Sequence, residues 1–280
     1  MRGDGGGAVA VGNRFPDRRD EGEGRVKIVR FRGAGETAGR FGILEGETVF
    51  AATGDPFAGG LTKGERVGAM ADVSLLPPVQ PGKIVCVGLN YVDHVTENDA
   101  SRTVPDEPVI FMKPQSSLIG HGETITIANP DHRTDYEAEL AIVIGTRCRN
   151  VSEADAPRYV LGYTAANDVS DRDLQSKDGQ WVRAKGFDTY CPLGPCIVTD
   201  LDVSDTSVAS RLNGEARQTQ TTSNMIFNPN FLISVISGVM TLEPGDLILT
   251  GTPAGVGPMK AGDTIEVEVG GVGVLRNPVA

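Results

Sequence analysis

A chain of 280 residues has room for one large domain and a small one. Hydrophobic residues at 39% and 36 glycines point to a globular, turn-rich, β-leaning protein. Lysine plus arginine number 26 against 37 aspartate plus glutamate, and the net charge of −11 argues against nucleic acid or an anionic membrane as partner. An anionic substrate would have to be drawn in by local cations. No apolar run of about 18 residues is present, so no membrane span is expected. Residues 1–24 are Gly-rich and charged without an apolar centre, which reads as a disordered extension rather than a secretory signal. Four cysteines (Cys86, Cys148, Cys191, Cys196) form no Cys-x-x-Cys pair, and free thiols in a reducing cytoplasm fit best.

Val26–Phe31 alternates as a strand does, and Arg40–Phe50 reads as a hairpin turning at Glu45-Gly46. This small region, 25–76, holds no reactive cluster and is assigned to packing. Pro77-Pro78 and Pro81-Gly82 mark a boundary, leaving 80–280 as the second domain. Lys83–Leu89 has the pattern of a buried strand. His94 and Glu97 follow three residues apart, so one helical turn makes them neighbours. A carboxylate beside an imidazole orients it as a general base, although a surface His beside a helical Glu has the same spacing. Pro108–Pro114 is a strand with Lys113 at its end, where exposure is the usual fate. His121 and His132 read as loop residues.

The stretch around which the chain is organised is Asp135-Tyr136-Glu137-Ala138-Glu139-Leu140-Ala141-Ile142-Val143-Ile144-Gly145. As a strand from Glu137 to Ile144 it puts Glu137 and Glu139 on one face with Ala141 and Val143. Ala138, Leu140, Ile142 and Ile144 fill the other. Adjacent carboxylates on an apolar strand repel each other and resist burial, so the face is either open to water or holds a cation. A third acid, Asp168, ends another strand-like run, Leu161–Asn167. Three oxygen donors on neighbouring strand ends suit Mg²⁺ or Mn²⁺, and the cation reading is preferred.

Ser152-Glu153-Ala154-Asp155 looks like the capping box of a short helix. If the chain turns helical after Asp168, Arg172 and Gln175 share a face, where a guanidinium can fork onto a carboxylate and an amide can donate to an oxyanion. Trp181–Lys185 reads as a strand that places Lys185 before a turn, and Cys191–Cys196 as a turn. Leu212-Asn213-Gly214-Glu215 is a type I′ hairpin signal, and Phe231–Ser237 has helical periodicity. Asp246–Thr250 leads into the Gly-rich Gly251-Thr252-Pro253-Ala254-Gly255-Val256-Gly257, whose glycines let backbone amides approach an anion closely. Glu266 and Glu268 repeat the Glu-x-Glu pattern with no third acid near, and read as a solvated face.

Tyr136–Ala141, Asn167-Asp168-Val169-Ser170 and Thr250–Gly257 resemble, in this order, the signature segments of the fumarylacetoacetate hydrolase family, and the resemblance runs from about Lys83 to the chain end. It implies a mainly β (α+β) fold, a mixed β-sandwich roll with a small N-terminal α/β domain, and a homodimer. It implies that Glu137, Glu139 and Asp168 bind the metal and that His94 with Glu97, on a mobile lid, activates water. Lys185 and Gln175 would stabilise negative charge, while Arg172 and Thr252 would bind substrate, Thr252 at its carboxylate. Many hydrolase members have Arg where this chain has Leu89. The function expected is metal-dependent cleavage of a C–C bond in a small anionic 2,4-dioxo (acylpyruvate-like) acid, with the departing carbanion held as a metal-bound enolate. The Val87–Tyr91 spelling is also similar to isomerase and decarboxylase members, which form the same enolate. A non-catalytic ligand-binding protein ranks last, since neither the acids nor His94 are lost.

Overall fold

A computed structural model of the protein describes residues 25–33, 35–97 and 100–280; the segment expected to be a disordered extension lies outside the described residues. The first part of the chain forms β1 (Lys27–Arg32), β2 (Arg40–Glu45), β3 (Thr48–Asp55), β4 (Gly60–Ala69) and β5 (Ser74–Leu76). Next come β6 (Ile84–Gly88), helix α1 (Val92–Thr96), β7 (Val109–Lys113), β8 (Leu118–Ile119) and β9 (Thr134–Tyr136). They lead to β10 (Ala138–Ile144), β11 (Val160–Asn167), β12 (Ser170–Asp171), α2 (Arg172–Lys177) and α3 (Val182–Lys185). The rest comprises β13 (Cys191–Val198), β14 (Ser207–Leu212), β15 (Glu215–Thr221), α4 (Pro229–Val239), β16 (Leu247–Leu249), β17 (Gly257–Pro258), β18 (Thr264–Val269) and β19 (Gly273–Pro278).

The large sheet runs β4-β3-β2-β1-β13-β11-β10-β16-β6-β7, with β5 and β8 paired at its side. A second sheet, β15-β14-β18-β19, lies against it, and a small third one is β12-β9-β17. Leu140 and Ile142 of the first sheet share one core with Val208, Val267, Val269 and Leu275 of the second. Each such side chain, fully withdrawn from water, contributes about 1.5–3 kcal/mol.

An α/β N-terminal domain was expected, but among the described residues 25–76 are strand and turn, with one 3-10 turn at Met70–Asp72. Period-two alternation dominates there, so there is no helical apolar stripe to bury. This region also joins the large sheet, through Lys27 opposite Val198 and Ile28 opposite Ile197. Three other local readings change. Trp181–Lys185 is a helical turn rather than a strand, with Lys185 N bonded to Trp181 O at 3.0 Å. Cys191–Cys196 is not a turn but the buried start of β13; its prolines are tolerated because the pairing with β11 is interrupted there. After Ser152 the chain makes only a 3-10 turn, Ala156–Tyr159.

The hairpin at Asn213-Gly214 has φ of 54° and 82°, as a type I′ turn requires. Helix α4 starts from Asn228, whose side chain accepts from Phe231 N, with Pro229 in the first turn. Glu266 and Glu268 are half-buried and reach across strands to Arg276 and Arg211.

Candidate active site

Strand β10 behaves as its alternation predicts at the core: Ala138, Leu140, Ile142 and Ile144 enter one apolar cluster, Ala141 and Val143 the other. Its start differs. Glu137 is not in the strand but between β9 and β10, where its N–H donates to Asn167 Oδ1 (2.9 Å) and its carbonyl accepts from Asp168 N (2.9 Å). With Ala138 opposite Asn167 and Glu139 opposite Ala166, Asp168 falls beside both glutamates. The face is not open to water, since Glu137 is 4% exposed, Glu139 1% and Asp168 1%.

Three cations meet these acids. Lys185 Nζ lies 2.7 Å from Glu137 Oε2 and 2.8 Å from Asp168 Oδ2. Lys113 Nζ donates to Asp168 Oδ1 (2.6 Å) and Val169 O (3.1 Å). Arg172 Nη2 is 2.7 Å from Glu137 Oε1, while its Nε donates to Asp135 Oδ2 (2.9 Å). Burial alone would raise the Glu137 carboxyl, yet Lys185 and Arg172 hold it well below the ordinary carboxylate range. Burial pushes Glu139 well up, and Asp168 and Glu137 push it further. Burial works to lower the Lys185 ammonium, but Asp168 and Glu137 keep it above its usual value, and it stays charged. The acids were expected to repel one another unless a metal was present; they are instead largely neutralised by the chain's own cations.

The donor set still fits a hard divalent cation. Glu137, Glu139 and Asp168 each offer a carboxylate oxygen, and these atoms lie within 4.8 Å of one another. A second grouping, His132 with Asp171 and Asp173, is accounted for by its own hydrogen bonds. Asp171 accepts from Asn129, His132 and Leu174 N, which caps α2, and Asp173 accepts from Arg133 N. His121 Nδ1 accepts from Arg276 N away from the cluster.

One cavity opens onto the acids, lined also by His94, Gln175, Lys185 and Thr252 and walled by Val87, Leu89, Phe111 and Trp181. His94 Nδ1 is 3.0 Å from Glu97 Oε2, so the pair expected on one helical turn is formed in α1. Glu97 Oε1 accepts from Gly255 N at 2.8 Å, and Glu139 Oε2 from Gly251 N at 2.7 Å. The Gly-rich segment thus does direct amides at anions, but the anions are the chain's own. Only glycine serves at these positions: φ is +94° at Gly251 and +100° at Gly255, and a Cβ would stand 2.7 Å from Asn90 Cβ and 2.3 Å from Arg217 O respectively. Leu89, in place of an arginine, adopts φ 59°, a backbone shape uncommon for a leucine, at the cavity wall.

Seven of the nine site residues named from the sequence line this cavity; of the other two, Glu97 meets His94 and Gly255 N, and Arg172 is turned toward Asp135, Glu137 and Gln175. Three were missed. Lys113 is buried rather than exposed; strand alternation puts it on the face of Phe111, a cavity residue, and that was the available signal. Trp181 closes the wall by an edge contact with Phe111, centroids 5.2 Å apart. Gln218, whose Nε2 donates to Thr252 Oγ1 at 2.7 Å, sits in a polar strand and carried no sequence signal.

Fold and site together define an enzyme class built on a rolled β scaffold with a buried carboxylate–lysine cluster under a His–Glu helix. Residues 83–280 match the family described as fumarylacetoacetate (FAA) hydrolase C-terminal, and the chain belongs to the fumarylacetoacetate hydrolase family, whose members are enzymes. Residues 26–78 match Rv2993c-like, N-terminal. The chain is 43% identical over 232 residues, 78% of its length and 72% of the other's, to the mitochondrial oxaloacetate tautomerase fahd2 of Xenopus laevis. A solved 2-hydroxyhepta-2,4-diene-1,7-dioate isomerase from Mycobacterium marinum is similar over 91% of this chain and 98% of that one, at 43% identity and TM-score 0.82. A maleylpyruvate hydrolase from Sphingobium sp. SYK-6, solved with manganese(II) and pyruvate, is similar over the same shares, at 30% identity and TM-score 0.74. No helix among the described residues is long and apolar enough to cross a membrane.

Proposed function

We propose that the chain moves a proton at the carbon beside the carbonyl of a small 2-oxo acid, interconverting keto and enol forms, with Mg²⁺ or Mn²⁺ held by Glu137, Glu139 and Asp168. The observation that carries this reading is that His94, braced by Glu97, faces the same cavity as the carboxylate–lysine cluster. When bound, the cation would polarise the 2-oxo acid as a Lewis acid and orient it. With the Glu97 carboxylate at Nδ1, the imidazole carries its proton on Nδ1 and presents a bare Nε2, which takes the proton from carbon and returns it. Lys185 uses two of its three N–H groups on Glu137 and Asp168, and the third supports negative charge as it develops on the substrate. Gln175 Oε1 accepts from Arg172 Nη1 at 2.7 Å, so its Nε2 end is left to donate. Arg172 is thereby a positioning residue. Val87, Leu89, Phe111 and Trp181 keep bulk water from the developing charge.

The similarity to an oxaloacetate tautomerase and a dioate isomerase, each at 43% identity, supports proton transfer. Similarity to a maleylpyruvate hydrolase supports a second reading, cleavage of a C–C bond in an acylpyruvate-like 2,4-dioxo acid. There His94 would take its proton from water instead of carbon. Decarboxylation of the same substrate class is the third outcome a test must separate. Metal-loaded protein is given oxaloacetate and a panel of acylpyruvates, and the products are weighed. A mass-neutral shift supports the first reading, two carbon fragments the second, CO₂ the third, and no turnover refutes all three. We infer also a homodimer in a reducing cytoplasm. The free edge of β7, with Met112 exposed, and the four buried free cysteines support these, and light scattering checks the first.

A further inference from the structure

Behind Gln175 runs a chain of charges that starts at Asp135. Asp135, on β9, is fully buried, and pairing with β12 sets it opposite Ser170, two residues before Arg172 opens α2. Its carboxylate is forked by Arg133, with Nε on Oδ1 (2.8 Å) and Nη2 on Oδ2 (2.9 Å), and it also accepts from Arg172 Nε on Oδ2 (2.9 Å). Arg133 is exposed, whereas Arg172 continues inward. Its Nη2 lies 2.7 Å from Glu137 Oε1, and its Nη1 donates to Gln175 Oε1 at 2.7 Å. A guanidinium only donates, so the Gln175 amide must turn its oxygen toward Arg172 and its NH₂ away. Gln175 lines the cavity, and among the described residues its Nε2 has no partner. Two carboxylates thus pin Arg172 at separate nitrogens. With Glu137 alone the guanidinium could pivot, and the amide with it.

We propose that Asp135 is a positioning residue: through Arg172 it holds the Gln175 amide with its N–H groups toward the cavity, where they meet an acceptor oxygen of the ligand, a carboxylate or an enolate. Asp135 does not itself line the cavity, so it acts only through Arg172. A donor held in one orientation before the ligand arrives needs no reorganisation as negative charge develops. The inference deepens the proposed function and rests on it, since it names the remote group that sets one donor of that same site.

Protein kept saturated with Mn²⁺ is titrated calorimetrically with oxalate in a double-mutant cycle of Asp135→Ala and Gln175→Ala. Saturation keeps the contact of Arg172 with Glu137 from entering the result through metal affinity. Gln175→Ala should weaken oxalate about tenfold, the loss of one hydrogen bond to a charged group. Asp135→Ala should weaken it about threefold to tenfold when Gln175 is present, and less than about twofold when Gln175 is already alanine. If Asp135→Ala does not fold, Asp135→Ser, which leaves room for water in place of the carboxylate, runs the same cycle. A purely structural role for Asp135 would weaken oxalate by the same factor in both backgrounds, and that result overturns the inference. Unchanged or tighter oxalate binding in Asp135→Ala overturns it as well. Wild-type protein that binds no oxalate overturns the proposed function beneath it.

Discussion

Replacing Lys185 by methionine keeps the apolar stem but removes the ammonium between Glu137 and Asp168. The Lys185 side chain is 3% exposed, so solvent screens the pair little. Taking away one partner of a buried ion pair costs about 3–5 kcal/mol, because a charge is left without its counterion. Proton uptake by the orphaned carboxylates offsets part of this, so the lower end is expected. For a chain of this size that is a fall in Tm of about 6–12 °C in chelator. Metal affinity should move the other way. An ammonium near a dication costs several kcal/mol even at an effective dielectric of about 20, so Lys185→Met should bind Mn²⁺ about tenfold tighter than wild type or better. Turnover should fall about 10²–10³-fold, as when one preorganised donor to a developing oxyanion is lost. Thermal unfolding with chelator and with Mn²⁺, calorimetric Mn²⁺ titration and product assays give the three numbers. Weaker Mn²⁺ binding with an unchanged Tm would refute the electrostatic reasoning.

His94→Ala should lower turnover about 10²–10⁴-fold while Mn²⁺-dependent oxalate binding stays within about twofold; loss of oxalate binding would make His94 a binding group instead. Glu139 has a raised carboxyl, so in metal-free protein its stability contribution is complete below its unfolded value and lost as pH rises toward the folded one. Glu139→Gln should flatten that decline in urea titrations across pH, and an equally steep decline would assign it to another group. Gly255→Ala forces a Cβ against Arg217 O at φ +100° and loosens the amide that holds Glu97, so a loss of about 1–3 kcal/mol is expected, with kcat falling more than Mn²⁺ affinity. Equal kcat in that variant would remove the loop from control of Glu97 and His94.

The acid cluster was legible because alternation is strict: an apolar strand with Glu137 and Glu139 on one face leaves few physical options, and Asp168 at a second strand end narrowed them. What periodicity does not encode is where a strand stops. Glu137 leaves β10 because its N–H is taken by the Asn167 side chain, a partner thirty residues away. The compensating cations were hidden for a similar reason. Lys113 and Lys185 resemble ordinary strand-end lysines until tertiary contacts bury them against Asp168. Trp181–Lys185 is too short for a four-residue helical turn to show a periodic pattern. The prolines of Cys191–Cys196 read as a turn, and the interrupted pairing with β11 that accommodates them is a property of the partner strand. The helix expected in the N-terminal region came from resemblance alone, and the local alternation of Val26–Phe31 and Arg40–Phe50 prevailed.

Proton transfer at carbon is proposed to be driven from the Glu137–Glu139–Asp168 cluster and His94. Its most direct test is deuterium exchange at the carbon beside the carbonyl of 2-oxobutyrate and of oxaloacetate, followed by proton NMR in D₂O with Mg²⁺, which does not broaden the lines. Wild-type protein should speed exchange well above the uncatalysed rate, and chelator, Asp168→Asn or His94→Ala should each abolish the increase. Exchange at the uncatalysed rate for both acids with Mg²⁺-loaded wild-type protein would rule out proton transfer at carbon.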